Sequence, residues 1–303
     1  GVIVTYPTYL PLVQKERTTM ARNRLPRGKG WYIWILKDTV NGDPKALAYN
    51  AKQAGVGHLV FHIHNGYQSE LQVSGGMDLT NHIREAEALG IECWGWGAVY
   101  KSTWSQGADR VIEAFKKYPT LVGYLLDAEA PIKGAPAEAT ALMKKLRTYL
   151  PNIPIGLSSY RYPRYHPDLP WKEFRSQCDF DIPQVYWEQC FGDTCGSVQL
   201  RGSYTEFQGM LPKLPYCATA PAYKVNSWFV SSTQIQGFFA EAKTLGITAV
   251  NFWVWYHTEL NLPVLFKYIQ AYPYGDVVIP PPPDPLTLEE KVDKLWEIHP
   301  EIH

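Results

Sequence analysis

The sequence predicts a (β/α)8 TIM barrel, an α/β fold, and three observations predict it. Short apolar or aromatic runs alternate with stretches of helical spacing, the alternation repeats eight times between Trp31 and Tyr272, and glycines sit where helices should stop. A doubly wound open sheet is the competing arrangement, but no G-x-G-x-x-G follows the first strand.

The runs Trp31–Leu36 and His58–His64 read as the first two strands, apolar along their length as strands buried on both faces are. Between them Pro44–Ala54 reads as a helix, opened by Asp43 as N-cap with proline at the first helical position and stopped by Gly55. Asp78–Leu89 is the next helix, closed by Gly90, and Ile91–Gly97 the third strand. Helix Ala108–Tyr118 leads to strand Leu121–Asp127, and helix Ala137–Leu150 to strand Ile153–Ser158. A shorter helix begins near Pro170, with Trp171 and Phe174 one turn apart, before strand Phe180–Trp187. Helix Tyr204–Leu211, strand Pro215–Ala220, helix Thr233–Leu245 with its stop at Gly246, strand Ile247–Trp255 and helix Leu262–Ala271 complete the count.

The barrel is expected to span residues 31–278, flanked by an N-terminal arm, 1–30, and by a tail, 279–303. The arm carries a local net charge of +5 and reads as a solvated segment packed loosely on the barrel. The tail combines a stiff proline-rich linker around Pro280–Pro283 with a short amphipathic helix opened by the capping box Thr287-Leu-Glu-Glu290. A helix so short is marginal alone. Residues 286–298 are therefore expected to dock, with a homo-oligomer contact favoured.

Of the 303 residues, 46% are hydrophobic and 19% charged, a globular composition. Lys plus Arg equals Asp plus Glu at 29 each, which removes the electrostatic argument for a nucleic-acid partner. No apolar run reaches the roughly 18–20 residues of a membrane span. Gly1–Leu12 lacks the basic residues and cleavage pattern of an intact signal peptide, and the start at Gly suggests that an upstream piece has been removed. The five cysteines form no C-x-x-C and no zinc-like pairing with His. Cys190 and Cys195 bracket Phe-Gly-Asp-Thr and could close a small disulfide, although free buried thiols are the simpler expectation. Eleven Trp exceed what one core needs, so some are expected to line a cleft.

In a barrel the reacting groups stand at the C-terminal ends of strands. The fourth end, Gly123-Tyr-Leu-Leu-Asp127-Ala-Glu129, places two carboxylates on the same side of an apolar strand. Their mutual repulsion in a partly dry pocket should raise one pKa enough to hold a proton near neutral pH, as a general acid must. The sixth end supplies Gln184, Tyr186 and Glu188, polar groups suited to holding substrate atoms. Trp94 and Trp96 on the third strand and Trp253 and Trp255 on the eighth present flat faces suited to stacking on sugar rings. His62 and His64 end the second strand. A pair on one face could serve a metal-dependent amidohydrolase, but the first strand ends in Lys37-Asp38, no His ends the fifth or sixth strand and His166 and His257 lie in loops, so neutral imidazoles bonded to substrate or to the carboxylates fit better and neither metal nor cofactor is expected.

Asp127-x-Glu129, an aromatic and polar sixth strand with Tyr186, and a Trp ending the eighth resemble barrel glycoside hydrolases acting on N-acetylated sugars. The families are the family 18 chitinases and, more loosely, the family 25 lysozymes of bacteria and phages. Trp31-Tyr-Ile-Trp34 and Leu157-Ser-Ser-Tyr-Arg161 also resemble hydrolase-like barrels of bacterial and phage origin. The chitinase resemblance implies Glu129 as acid/base, Asp127 as the group orienting the substrate's own acetamido nucleophile, and Tyr186 as its partner. It implies a glycan substrate, peptidoglycan ahead of chitin, and an extracellular, virion or cell-wall setting. Two departures stand out: the chain has Val122 and Leu125 where the chitinase motif has further acidic residues, and Asp38 only loosely matches the lysozyme carboxylate of the first strand. Those departures keep a second class open, a barrel that binds glycan or serves assembly without turnover.

Overall fold

The structure, a computed structural model, describes residues 22–275. The expected tail helix and its oligomer contact lie outside the described residues.

Eight parallel strands form the barrel: β1 (Gly28–Ile33), β2 (Val56–Asn65), β3 (Glu92–Ala98), β4 (Tyr124–Asp127), β5 (Ile155–Ser158), β6 (Phe180–Asp181), β7 (Ala218–Pro221) and, after a small antiparallel hairpin β8 (Lys224–Val225) and β9 (Trp228–Phe229), β10 (Ala249–Trp253). Their order around the sheet is β6-β5-β4-β3-β2-β1-β10-β7. Single bridges Asp181 to Tyr216 and Gln184 to Thr219 bring β6 and β7 together and nearly close the cylinder. The main wall helices are α1 (Pro44–Gln53), α2 (Thr80–Ala88), α3 (Trp104–Lys117), α4 (Pro136–Tyr149), α5 (Trp171–Arg175), α6 (Cys195–Gly209), α7 (Ser232–Thr244), α8 (Trp255–Asn261) and α9 (Pro263–Ala271). No helix among the described residues is long and apolar enough to cross a membrane.

Local chemistry explains the joins. The Asp43 carboxylate accepts from the backbone N–H groups of Lys45 and Ala46 at 2.9 and 3.0 Å, starting α1. Gly55 and Gly90 take the left-handed conformation, φ +60° and +76°, that lets the chain turn from helix into the next strand.

The core has two layers. Inside the barrel stand Tyr32, Val60, Trp94, Trp96, Leu125 and Phe180 with their neighbours, whereas the larger cluster fills the space between strands and helices. Glycines create the interior room: a Cβ on Gly123 would lie 2.2 Å from the Trp94 ring, and one on Gly156 2.3 Å from Phe180. These two rings meet edge to face at 5.9 Å and plug the N-terminal end. Arg175 and Asp181, both fully buried, form a two-point ion pair at 3.0 and 2.8 Å.

The described part of the arm is exposed at residues 22–24 and makes ion pairs to the barrel. Arg22 pairs with Asp179 at 3.0 Å and Arg24 with Glu92 at 2.6 Å, and both carboxylates are nearly buried at the N-terminal end of the barrel. Lys29 is fully buried, and its ammonium donates to the carbonyls of Ile269, Gln270 and Tyr272, tying β1 to the end of α9.

The cysteine expectation needs correction. Cys190 and Cys195 are bridged, with Cα atoms 6.0 Å apart, while Cys93, Cys178 and Cys217 stay free and buried. The physical reason is that α6 starts at Cys195, nine residues before the expected start at Tyr204, which folds the loop back on itself. The Gln234 side chain then holds that loop by donating to the carbonyls of Cys190 and Gly192.

Candidate functional site

At the C-terminal mouth lies a cavity of about 280 Å3 lined by residues from most of the strand ends. β4 carries its acidic pair. Asp127 is registered between Ala98 of β3 and Ser158 of β5, and the Ala128 N–H donates to the Ser158 carbonyl at 2.9 Å. Ala128 is fully buried in the wall, so its neighbours Asp127 and Glu129 both face the cavity.

One amide holds the two carboxyls together. Nε2 of Gln184 donates to Asp127 Oδ1 at 2.9 Å and to Glu129 Oε1 at 2.8 Å. Burial, then the Glu129 charge, push the Asp127 carboxyl well above the usual carboxylate range, against the opposing pull of Gln184. Asp127 therefore holds its proton to higher pH than an ordinary carboxyl does, beside Glu129. Tyr186 lines the same wall, its ring edge-on to Tyr223 at 5.6 Å, and burial holds its phenol protonated.

The floor is aromatic. Trp253 packs against Trp96 at 5.2 Å, Tyr32 at 5.4 Å and Trp34 at 5.7 Å, and the Trp253–Val254 peptide is cis. His62 stacks on Trp96 at 4.0 Å, and burial followed by the nearby His64 drives its pKa down to about 3, so it is neutral. The indole N–H of Trp96, itself buried, meets no acceptor among the described residues.

Asp127, Glu129, Gln184, Tyr186, Trp96, Trp253 and His62 thus share one cavity. Five other expected residues do not line it. His64 was expected on the face of His62, but a β-bulge between them turns His64 into the strand–helix layer, where it bonds the Tyr124 hydroxyl at 2.7 Å and lies against Gly97. The two imidazoles cannot converge on one ion, and among the described residues no cluster of metal-ligating side chains occurs. Trp94 shares the interior face with Trp96 but sits one layer lower, bonded to Glu92. Trp255 opens α8 instead of continuing the strand and packs between Trp31 and Phe266. Glu188 stays exposed on the rim, accepting from the Tyr223 hydroxyl, and Asp38 lies exposed in the turn after β1.

Six lining residues are not among the expected site residues: Tyr32, Trp34, Asn65, Ala98, Leu125 and Ser158. Alternation from Tyr32 to Trp34 signals two of them, and Ser158 stands at a strand end. Asn65 enters only through the bulge, which the sequence does not announce. Leu125 fills part of the cavity wall.

No protein-family model and no curated protein matches this chain. Solved structures do. The catalytic domain of a hyperthermophilic chitinase from Pyrococcus furiosus superposes with TM-score 0.59 at 14% identity, covering 84% of this chain and 99% of that one. A class V chitinase from Pseudomonas fluorescens gives 0.55 at 10% identity, covering 80% and 99%. A chitinase from Ipomoea carnea gives 0.55 at 12% identity, covering 80% and 98%. At these identities the likeness is one of fold: this chain shares the (β/α)8 barrel on which those glycoside hydrolases are built.

Proposed function

We propose that the protein is a glycoside hydrolase cleaving a β-linked N-acetylhexosamine polymer, peptidoglycan ahead of chitin. The observation that carries this reading is the carboxyl pair Asp127–Glu129, bridged by the Gln184 amide over an aromatic floor. The fold it shares with chitinases supports the same reading. Glu129, taking up the proton of Asp127, delivers it to the glycosidic oxygen as the bond from that oxygen to the anomeric carbon breaks. The carbonyl oxygen of the sugar's acetamido group attacks the same carbon, forming a cyclic intermediate with no enzyme nucleophile. Asp127, left charged, orients the acetamido N–H and balances the positive charge growing on it; the Tyr186 hydroxyl holds the acetamido oxygen. Water then adds to the anomeric carbon while Glu129 takes its proton. Trp253 offers the sugar ring a flat face.

A second reading has its own support: Leu125 and Val122 replace acids of the chitinase motif, as in a groove that binds glycan without turnover. Incubation with soluble N-acetylated oligosaccharides and detection of products by mass spectrometry separates the two. If the hydrolase reading holds, Tyr186→Phe lowers turnover by about 5- to 150-fold, the worth of one hydrogen bond whose partner is left buried, about 1–3 kcal/mol. Steady-state rates on the same oligosaccharides check this. Activity that a chelator abolishes, and that His62→Ala also removes, would point to metal chemistry instead.

A further inference from the structure

The segment after β5, Ser159-Tyr-Arg-Tyr-Pro-Arg-Tyr165, carries two arginines at the C-terminal end of that strand. Tyr160 bridges to Gln184 in the backbone, which places the segment next to the residue that holds both carboxyls. The two arginines differ in one respect. Arg164 is neutralised by Glu206, which also accepts from the Arg164 backbone N–H. Arg161 is half-buried and has no carboxylate partner among the described residues; its guanidinium stands 5.4 Å from the centre of the Tyr162 ring, which Arg164 also meets at 4.6 Å.

That face is fixed. The Tyr162 hydroxyl donates to Gln199 at 2.8 Å, the ring meets Tyr165 edge-on at 5.9 Å, and it fits only because position 202 is glycine, where a Cβ would fall 2.7 Å from the hydroxyl. The Arg161 charge also acts on the Tyr223 hydroxyl, and Tyr223 packs edge-on against the cavity residue Tyr186. Glu188 shares this rim, but the Tyr223 hydroxyl engages it and Arg161 does not pair with it. A half-exposed guanidinium set over a fixed ring and left without a carboxylate partner among the described residues offers its N–H fork to a carboxylate from outside.

We propose that Arg161 is a specificity-determining residue that receives a carboxylate carried by the glycan, so that the substrate is an acidic N-acetylhexosamine polymer rather than a neutral one. The inference rests on the glycan reading of the site and names which glycan. The carboxylate could belong to a sugar's ether-linked acid or to the end of an attached peptide, and the probes separate these sources.

The test uses four soluble oligosaccharides of equal length: neutral N-acetylglucosamine, the alternating polymer bearing free lactyl carboxylates without peptide, the same polymer with those carboxyls amidated, and the amidated polymer with a short peptide ending in a free carboxylate. For each protein the ratio of kcat/KM on an acidic glycan to that on its amidated twin is read, so that a general loss of fold or activity cancels. Wild type should favour one carboxylated form by about 10- to 100-fold, mostly through KM, as a charge-assisted hydrogen bond predicts. The form favoured identifies the source. Arg161→Gln should bring the ratio to near one, and Arg161→Lys should keep part of it. Equal wild-type rates on acidic and amidated glycans, or a preference that survives Arg161→Gln, overturn the proposal. If no glycan is cleaved, the hydrolase reading fails by itself, and the same ratios taken as dissociation constants from calorimetry still decide the role of Arg161.

Discussion

Glu129→Gln should lower hydrolysis of soluble N-acetylated oligosaccharides by about 10²–10⁴-fold while glycan binding survives. The amide keeps the size of the side chain and can still meet Gln184, which now donates to Glu129 at 2.8 Å, so cavity and floor stay in place. What it loses is a transferable proton. The loss should fall on kcat, since protonation of the leaving oxygen matters only in the transition state. Turnover numbers and calorimetric binding on one oligosaccharide check both halves, and a drop of less than tenfold would remove Glu129 from the acid role.

Asp127→Asn should act in two opposite directions, crippling turnover and stabilising the fold. Turnover falls because an amide carries no negative charge to balance an activated acetamido group, and about 10²-fold or more is expected from removing such electrostatic stabilisation. Stability moves the other way because the Asp127 carboxyl sits well above its ordinary value, raised by burial and by Glu129. A carboxyl whose folded pKa is raised binds its proton more tightly in the folded state. Its favourable contribution is present below the unfolded value, about 4, and is lost as pH climbs toward the folded value. Wild type therefore pays a growing penalty between acid and neutral pH that an asparagine at this position does not. Tm measured against pH should show the two proteins closest near pH 4 and the variant increasingly ahead toward neutrality. Parallel curves would mean that Asp127 is not strained by its neighbour.

Most of the barrel was legible because its signal is periodic. Buried parallel strands are apolar throughout, and Asp43-Pro44, Gly55 and Gly90 mark helix ends by chemistry that needs no tertiary context. The same alternation placed Asp127, Glu129, Gln184 and Tyr186 on one wall. It failed wherever position depends on more than parity. Alternation gives the face of a strand and not its height, so Trp94 looked equivalent to Trp96 although it packs against Phe180 at the opposite end. It assumes an unbroken ladder, so the bulge that turns His64 outward and brings Asn65 inward was invisible. It also assumes that the strand continues, whereas the chain starts a helix at Trp255. The hairpin at Lys224–Phe229, too short to show a period, carries no such signal at all, yet it packs Trp228 against the disulfide loop through Cys190.

The central claim is that this barrel turns glycan over, and one measurement tests it most directly. A soluble N-acetylhexosamine oligosaccharide is incubated with the protein in H218O and the products are weighed by mass spectrometry. The account predicts shorter oligosaccharides with one 18O at each new reducing end, formed by the wild type and nearly absent with Glu129→Gln. Oligosaccharide that binds and is recovered intact from the wild type would contradict it, and would leave the barrel as a glycan-binding protein.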